Sequence, residues 1–450
     1  MNEQRLVEES DKEQGRTVAI IGLGYVGLPL ALLFAEKGYT VLGIDNDAAK
    51  IAMLQRGKSY IHEIDAGEVK AAIDAGRLLP NGQMSSLQAA EAVILCVPTP
   101  LTEHGTPDLS YLKGAVKEMS PFLRKGQLLV LESSTYPGTT REELLPLLSR
   151  TGFSVGKDLM VAYSPERVDP GNKRFPLSAI PKVVSGVTPQ CLERAKELYG
   201  GIFPYVHPVS STDAAEMTKI VENAYRLVNI SFMNEMAMIC EKLGLDVWEI
   251  IDAAASKPFG YQPFYPGPGI GGHCIPVDPF YLQYRIKQLG MRSEFIGVSH
   301  VVNHGMPHHV VQRLKKELGP VSLAGADILV YGAAYKPDIA DYRESSSIDL
   351  IHLLRLEGAN VYYHDPYIPV LKLGDVELRS SALEPAFLEK VAATVIATHH
   401  SGIPIDALLE HCALIYDSRN VVKDKKGRAR VVALGNGRLQ ETESDDGSGS

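Results

Sequence analysis

A glycine-rich turn between two apolar strands constrains the fold of this chain more than any other feature of its sequence. The strand at residues 17–21 is followed by Gly22-Leu-Gly-Tyr-Val-Gly27, by an apolar helical stretch, and by a second strand that ends at Asp45. The first two glycines permit a tight turn and the approach of a pyrophosphate to the helix N-terminus, and the third lets the helix pack on the strand. Asp45 can accept hydrogen bonds from both ribose hydroxyls and would repel the 2′-phosphate of NADP. The unit predicts an NAD-binding α/β domain; a purely structural turn is the alternative.

Length and composition limit the remaining classes of protein. A chain of 450 residues is too long for one ordinary domain, and 45% hydrophobic with 22% charged residues is typical of a globular protein. The net charge of −9 argues against nucleic acid and anionic membranes as partners, and no apolar run is long enough to span a bilayer. Five cysteines without a CxxC motif, and an N-terminus without an apolar signal core, predict a cytoplasmic location.

Polar residues follow several further strand-like runs at the points where those runs end. Thr99, Thr135, Glu166 and Arg167 each come directly after such a run or within a few residues of it. Because parallel sheets bind their ligands just beyond the carboxyl ends of their strands, we expect these side chains at a functional site. Each of them alone could also be an ordinary loop residue.

One long helix is predicted over residues 213–243, which contain neither Gly nor Pro. A helix of this length can join two domains or pair two subunits. Lys219, Asn223 and Arg226 share one of its faces, at spacings of four and three residues. A solvated polar stripe would explain them, but their apolar and aromatic neighbours favour a face turned into a cleft.

A second α/β segment repeats the N-terminal pattern. A strand that ends at Gly332 is followed by a helix at residues 346–356 and by a strand that ends at Asp365. The predicted fold class is therefore α/β, with two Rossmann-like doubly wound domains joined by a long central helix and a helical middle domain. We expect a disordered N-terminus at residues 1–15, an NAD-binding domain at 16–210, a central helical domain at 211–310, a second Rossmann-like domain at 311–436 and a disordered tail at 437–450.

The stretch Tyr265-Pro-Gly-Pro-Gly-Ile-Gly-Gly-His-Cys-Ile-Pro-Val-Asp278 contains four glycines and three prolines, so neither a helix nor a strand can run through it. One thiol, Cys274, and one carboxylate, Asp278, stand in this rigid loop. A nucleophile in an irregular glycine-rich segment indicates a site. A tight turn with a buried structural cysteine is the alternative.

A metal site is a weaker interpretation of the histidines. His300, His304, His308 and His309 have spacings that fit one helix, but no H-E-x-x-H or CxxC motif accompanies them, and Pro307 interrupts the series. We therefore predict no metal and expect surface or subunit-contact histidines.

The ordered motifs of the whole chain resemble the UDP-glucose/GDP-mannose dehydrogenase family. They are GLGYVGLPLA, CVPTPL, ESSTYPGTT, YSPERVDPGN, EMTKIVENAYR, PGPGIGGHCIPVDP, YKPDIADYRESSS and DSRN, within residues 16–435. The GGHC form and the lead-in KPFGYQPFYPGPG are similar to the branch that oxidises UDP-N-acetylhexosamines. The UDP-N-acetylmannosamine branch usually has a His-Pro-Arg-like element in this lead-in, and the UDP-glucose branch typically has Gly-Ser-Cys.

The resemblance implies a four-electron oxidation of a sugar CH2OH to a carboxylate, with two NAD+ reduced and UDP-N-acetylglucosamine as the expected substrate. It implies that Cys274 captures the intermediate aldehyde as a thiohemiacetal, which is oxidised to a thioester and then hydrolysed. Lys219 and Asn223 would stabilise negative charge on the C6 oxygen. Asp278, with Thr135 and a water, would accept the proton, and Glu166 would assist hydrolysis.

The same resemblance assigns binding residues and an assembly, and it implies that residues 211–310 form the dimerisation domain with the Cys274 loop and residues 311–436 the UDP-sugar-binding domain. The cofactor NAD would contact Gly22, Gly24, Tyr25, Val26, Gly27, Asp45, Lys50, Thr99, Thr135 and Arg343. The UDP-sugar would contact Arg167, Val168, Lys219, Asn223, Arg226, Gly267, Tyr335, Lys336 and Arg419. The implied assembly is a homodimer built through the central helix, or a higher homo-oligomer.

Two other functions fit parts of the sequence. A two-electron hydroxy-acid dehydrogenase shares the N-terminal unit and a helical middle but requires neither an essential thiol nor a second α/β domain. A nucleotide-binding regulator without catalysis would lack the Cys or the Lys, and both are present. Among enzymes of the resembling family, UDP-N-acetylmannosamine and UDP-glucose are the alternative substrates.

Overall fold

The computed structural model describes residues 16–102, 104–167, 176–424 and 426–438. Within them the chain forms two compact units. The first unit comprises the chain up to Asn223 together with Val277–Arg292, and the second comprises Ala224–Pro276 together with the chain from Ser293 onward. The predicted disorder of residues 1–15, and of the tail beyond residue 438, lies outside the described residues. The domain boundaries drawn from the sequence stay a prediction.

The elements follow one another in a mixed α/β order. The strands are β1 (Thr17–Ile21), β2 (Thr40–Ile44), β3 (Leu78–Asn81), β4 (Ala92–Leu95), β5 (Leu128–Leu131), β6 (Met160–Tyr163), β7 (Lys182–Gly186), β8 (Val206–Pro208), β9 (Asp327–Tyr331), β10 (Asn360–His364), β11 (Val370–Leu373), β12 (Val376–Arg379), β13 (Ala393–Ile396), β14 (Leu414–Asp417) and β15 (Arg430–Ala433). The α-helices are α1 (Gly27–Glu36), α2 (Ala48–Gln55), α3 (Ala66–Asp74), α4 (Ser110–Met119), α5 (Leu145–Leu148), α6 (Pro189–Gly200), α7 (Thr212–Leu243), α8 (Val247–Ala255), α9 (Asp278–Gln288), α10 (Glu294–Leu318), α11 (Ser346–Leu356), α12 (Pro385–Leu388) and α13 (Ile405–His411). Short 3₁₀ turns lie at Met84–Ala89, Ser120–Phe122, Ser149–Thr151 and Leu177–Ala179, and a π-helical turn at Thr140–Leu144 precedes α5.

An eight-stranded sheet forms the centre of the first unit, in the order β3-β2-β1-β4-β5-β6-β7-β8. Its strand pairs are parallel except β6 with β7, which are antiparallel. Alternate residues of β1 face two different cores: Val18 and Ile20 pack on one side, and Ala19 and Ile21 on the other. Because both faces are covered, these strands are continuous apolar runs. The strand order reverses at β1, so the crevice between the carboxyl ends of β1 and β4 is the expected nucleotide site.

The helix α7, here called the central helix, confirms the long helix predicted from the sequence. It runs over 32 residues from Thr212 to Leu243, a length of about 48 Å at the usual rise per residue. Gly244, with a φ of +70°, follows its last residue. A left-handed glycine at this position ends a helix without steric strain.

The second unit contains a five-stranded parallel sheet in the order β10-β9-β13-β14-β15 and a small antiparallel pair, β11 with β12. Its order strand–glycine–helix–strand–Asp confirms the predicted repeat. Asp365, however, accepts hydrogen bonds from the backbone N–H groups of Ala333, Ala334, Tyr367 and Ile368 and bonds to Nε2 of His400. In a dinucleotide site the acid at this position would bind a ribose. The carboxylate of Asp365 instead accepts hydrogen bonds from groups of its own chain.

The helix α10 corrects one expectation. Pro307 lies inside this helix and does not end it, so His300, His304, His308 and His309 all lie on one continuous helix. Among the described residues, no group of three or more His, Cys, Asp or Glu side chains is arranged to hold a metal ion. None of the described helices is long and apolar enough to cross a membrane.

Candidate active site

The glycine turn after β1 has the shape that a dinucleotide phosphate requires. Gly22 has a φ of +93°, and a Cβ there would lie 2.5 Å from the carbonyl oxygen of Cys96. A Cβ on Gly27 would lie 1.9 Å from the carbonyl oxygen of Gly22. At Gly24, in contrast, a Cβ would meet no atom within 4 Å. Gly22 and Gly27 are therefore needed for close packing of the chain. Gly24 leaves open space at the helix N-terminus, where a phosphate would approach.

Asp45 lies at the end of β2 with 9% of its surface exposed. Its Oδ2 accepts from the backbone N–H of Leu23 at 2.8 Å, and its Oδ1 accepts from that of Asp47 at 2.9 Å. Each carboxylate oxygen keeps acceptor capacity for a ribose hydroxyl. The Lys50 ammonium lies 3.9 Å from Oδ2 and over the ring of Tyr60. The Tyr60 hydroxyl donates to the carbonyl oxygen of Leu23, a contact that no sequence pattern indicated.

The loops that follow β4 and β5 are joined by hydrogen bonds. Thr99 Oγ1 donates to the carbonyl oxygen of Ser134 at 2.6 Å, and Ser133 Oγ donates to that of Val97 at 2.7 Å. Tyr281 of α9 donates its hydroxyl hydrogen to the carbonyl oxygen of Thr99. Thr135, on the second of these loops, is 2% exposed. The predicted cofactor contacts Thr99 and Thr135 thus lie in neighbouring loops at the carboxyl ends of β4 and β5.

Four of the predicted catalytic side chains come together in the first unit. The ammonium of Lys219 lies 3.4 Å from Oε2 of Glu166, and the amide of Asn223 donates to Oδ2 of Asp278 at 2.6 Å. Lys219 and Asn223 lie one turn apart on the central helix, and Asp278 is the first residue of α9. All four side chains are buried.

Burial raises the pKa of Asp278 to about 6, and the negative charge of Glu166 adds to this effect. The ammonium of Lys219 and the hydrogen bond from Asn223 favour the charged carboxylate and so oppose it. A carboxylate with a pKa slightly below neutral is suited to general-base catalysis, because it is ionised at neutral pH and still binds a proton readily.

The Gly/Pro loop in the second unit packs its backbone closely on a neighbouring loop. The backbone N–H of Gly272 donates to the carbonyl oxygen of Glu344 at 3.2 Å, and a Cβ on Gly272 would lie 2.8 Å from the ring of Tyr335. Cys274 is half-buried, whereas the other four cysteines are buried. This difference disfavours the alternative of a structural core cysteine.

Arg419, in the loop after β14, is a cation suited to an anionic ligand. Its Nε donates to the carbonyl oxygen of Ala397 at 2.7 Å, and no carboxylate within the described residues forms an ion pair with it. Burial lowers its pKa to about 10, although the charge of Asp417 opposes the shift. A Cβ on Gly267 would lie 2.4 Å from Nη1 of Arg419, so a side chain at position 267 would displace this guanidinium from its present place. A diphosphate would supply the missing negative charge.

Gly267 has a second neighbour that the sequence analysis missed. Its backbone N–H donates to Oδ1 of Asn234 at 2.9 Å, and Asn234 is fully buried in the central helix. Asn234 lies 33 residues from Gly267, and a contact over this distance has no local sequence signal.

Other predicted binding residues have different surroundings. Arg226 is exposed, although Lys219 and Asn223 on the same helix are buried. Arg343 forms a two-point ion pair with Asp341, with Nε 2.9 Å from Oδ1 and Nη2 2.5 Å from Oδ2. Arg167 pairs with Glu222 of the central helix at 2.7 Å. The predicted substrate contact Val168 lies outside the described residues, while Tyr25 and Val26 lie in the glycine turn and Tyr335 and Lys336 follow β9.

The chain matches three models of one protein family in sequence order. The NAD binding domain of the UDP-glucose/GDP-mannose dehydrogenase family matches residues 16–202, its central domain residues 213–305 and its UDP binding domain residues 329–424. The predicted NAD cofactor and the predicted class of oxidoreductase, a nucleotide-sugar dehydrogenase that uses a UDP-sugar, are thereby confirmed.

Relatives and solved structures agree with this match. The chain is 38% identical to a UDP-N-acetyl-D-glucosamine 6-dehydrogenase of Pseudomonas aeruginosa over 78% of its own length and 83% of the relative's. It is 32% identical to a UDP-N-acetyl-D-mannosamine dehydrogenase of Methanococcus maripaludis over 94% and 97%. The structure of a UDP-D-ManNAc dehydrogenase from Pyrococcus horikoshii superimposes with a TM-score of 0.85 at 31% identity, covering 94% of this chain and all of that one. On these grounds the chain belongs to the UDP-glucose/GDP-mannose dehydrogenase family.

Proposed function

We propose that this protein oxidises the C6 hydroxymethyl group of a UDP-N-acetylhexosamine, UDP-N-acetylglucosamine in the first place, to the uronic acid. Two NAD+ accept the two hydrides, one after the other. The acid formed would be a precursor for surface polysaccharide. The observation that carries the proposal is the buried group formed by Lys219, Glu166, Asn223 and Asp278, which combines one ammonium, one amide and two carboxylates.

The residues of this group have separate roles in the proposed reaction. Lys219 stabilises negative charge on the C6 oxygen, because a buried ammonium interacts strongly with a developing oxyanion. Asp278, with its pKa raised to about 6, accepts the proton of the hydroxyl through a water that Thr135 helps to hold. Asn223 holds Asp278 in its ionised form through the 2.6 Å hydrogen bond and shares the stabilisation of the oxyanion.

Covalent capture separates the two oxidations. The thiolate of Cys274 adds to the C6 aldehyde and forms a thiohemiacetal, which loses the second hydride and becomes a thioester. Water attacks the thioester, the Cys274 thiolate leaves, and the uronic acid is released, with Glu166 assisting the attack. The half-buried position of Cys274 in a glycine-rich loop supports this role, since a nucleophile must be reached by its substrate.

The UDP part of the substrate is assigned to the second unit. Arg419 binds the diphosphate, with Lys336 and Tyr335 from the loop after β9 and Gly267 against the guanidinium. Arg226, Arg167 and Val168 are proposed as further contacts. A homodimer through the central helix is proposed as the assembly, and NAD is assigned to the glycine turn, Asp45, Lys50, Thr99, Thr135 and Arg343.

The preference for UDP-N-acetylglucosamine is supported by the lead-in at residues 257–269, since a relative named for UDP-N-acetyl-D-glucosamine and one named for UDP-N-acetyl-D-mannosamine are both 38% identical to the chain. The second of these, and a relative named for NDP-N-acetyl-D-galactosaminuronic acid at 32% identity, make their sugars the alternatives. NADH formation over a panel of UDP-N-acetylglucosamine, UDP-N-acetylgalactosamine, UDP-N-acetylmannosamine, UDP-glucose and GDP-mannose decides between them. Dominant turnover of UDP-glucose or GDP-mannose would overturn the assignment of the sugar and leave the family unchanged.

A further inference from the structure

A buried carboxylate on the central helix, Glu216, has no role in the reaction as proposed. It is fully buried. Its Oε2 accepts a hydrogen bond from the backbone N–H of Gly138 at 2.6 Å, and its Oε1 accepts from the backbone N–H and the hydroxyl of Thr140 at 2.8 and 2.7 Å. All three donors belong to one segment, which runs from the end of β5 into the π-helical turn and carries Thr135.

The position of Glu216 on the central helix relates this segment to the catalytic group. Lys219 follows Glu216 by three residues, so the two side chains leave the helix on neighbouring faces. The pKa of the Tyr163 phenol, at the end of β6, depends on both Glu216 and Lys219. Burial raises its pKa, the charges of Glu216 and Asp278 add to the shift, and the ammonium of Lys219 and the hydroxyl of Thr135 oppose it. All four groups therefore influence the pKa of one buried phenol.

A second contact between the same two elements shows what Glu216 adds. Arg141, in the π-helical turn, pairs with Asp213 of the central helix at 2.9 Å, but the two side chains are 56% and 37% exposed. Exposed ion pairs contribute little to stability or geometry. Glu216, in contrast, is a buried carboxyl group, and burial raises its pKa to about 7 although its hydrogen bonds to Thr140 and Gly138 oppose the shift. A buried carboxyl with three fixed donors holds its partners in one arrangement.

We infer that Glu216 is a positioning residue for the oxidation, which fixes the segment that carries Thr135 to the helix that carries Lys219 and Asn223. Its hydrogen bonds set the place of Thr135 relative to these two side chains. A displacement of about 1 Å in such a group can reduce a rate about 100-fold. The inference rests on the proposed roles of Thr135 and Lys219.

The test compares Glu216→Gln with Asp213→Asn, which removes the exposed contact between the same two elements. Gln keeps the shape of Glu but replaces one acceptor oxygen with an NH2 group, which cannot accept a hydrogen bond from Gly138 or Thr140. With the best UDP-sugar of the panel, we expect Glu216→Gln to lower kcat about 10-fold to 100-fold and to change the KM of the sugar by less than about 3-fold. Asp213→Asn should keep kcat within about 2-fold of wild type.

A double-mutant cycle with Thr135→Ala separates positioning from general destabilisation. If Glu216 acts through Thr135, the double variant Glu216→Gln/Thr135→Ala should be no more than about 2-fold slower than Thr135→Ala alone. Multiplicative losses, or a wild-type kcat for Glu216→Gln, would overturn the inference. Should Glu216→Gln fail to fold, Thr140→Val removes one of the three donors. The same double-mutant cycle with Thr135→Ala is then measured with Thr140→Val in place of Glu216→Gln.

A failure of this inference can be told apart from a failure of the proposed function. If wild type forms two NADH per sugar acid and Glu216→Gln is as fast as wild type, the inference about Glu216 fails and the proposed reaction stands. If wild type forms one NADH per product, the proposed reaction fails whatever the variants do.

Discussion

The side-chain amide of Asn223, on the central helix, donates a hydrogen bond of 2.6 Å to Oδ2 of Asp278, the first residue of α9. The two residues are 55 positions apart in the sequence. The contact places the amide against the carboxyl group that we propose as the general base, and it favours the ionised form of that carboxyl.

Replacement of Asn223 by Ala should therefore change the pH dependence of the reaction. Removal of the hydrogen bond raises the pKa of Asp278 above its value of about 6, so the acidic limb of the kcat/KM profile should move to higher pH. Asn229→Ala is the matched control, because Asn229 lies on the same helix and bonds only to the carbonyl oxygen of Tyr225 among the described residues. An unchanged acidic limb in Asn223→Ala would refute the role given to this contact.

Lys219→Met tests the stabilisation of the oxyanion. Met keeps much of the length of the side chain and removes its charge, so kcat should fall by at least about 100-fold while the KM of the sugar changes far less. Lys242, in the last turn of the same helix, provides the control Lys242→Met, which should keep wild-type kcat. A loss confined to KM would show that Lys219 binds the ground state and the transition state equally.

The stability of the protein should depend on pH through Asp278. Its pKa in the folded state is about 6, above the ordinary value of 3.8, so the folded protein binds more protons than the unfolded chain between these values. The free energy of unfolding should thus fall as pH rises from about 4 to 6, and this contribution is constant above that range. Asp278→Asn should reduce the fall in urea melts across this range, whereas an equal slope in variant and wild type would contradict the shifted pKa.

The preference for NAD+ should depend on Asp45. The carboxylate at the end of β2 accepts from two backbone N–H groups and is 9% exposed, so a 2′-phosphate there would meet a poorly solvated negative charge. We expect a kcat/KM with NADP+ at least about 100-fold below that with NAD+, and a smaller ratio in Asp45→Ser. Asp47→Asn keeps an exposed helix cap and should leave the ratio unchanged. Equal use of both cofactors by wild type would be incompatible with this account of the site.

The helices and strands could be predicted from local patterns in the sequence, but the contacts between residues far apart in the sequence could not. The glycine turn after β1, the central helix and α11 follow from periodicity, glycine and proline, all of which act within a few residues. The bonds of Glu216 to Thr140 and of Asn234 to Gly267 join residues 76 and 33 positions apart, so no local spacing encodes them. Helical spacing also grouped Arg226 with Lys219 and Asn223, but Arg226 is exposed, because spacing gives the face of a helix and not what covers it.

The central claim is that Cys274 carries the second oxidation as a covalent intermediate, and the formation of sugar acid by Cys274→Ser tests it most directly, while the number of NADH formed per sugar acid tests the class of reaction. Wild type should form two NADH for each uronic acid released. Cys274→Ser should show almost no steady-state turnover, because an ester hydrolyses far more slowly than a thioester, whereas Cys240→Ser, at a buried cysteine of the central helix, should keep the wild-type stoichiometry. One NADH per product in wild type, or near-normal formation of the acid by Cys274→Ser, would contradict the account.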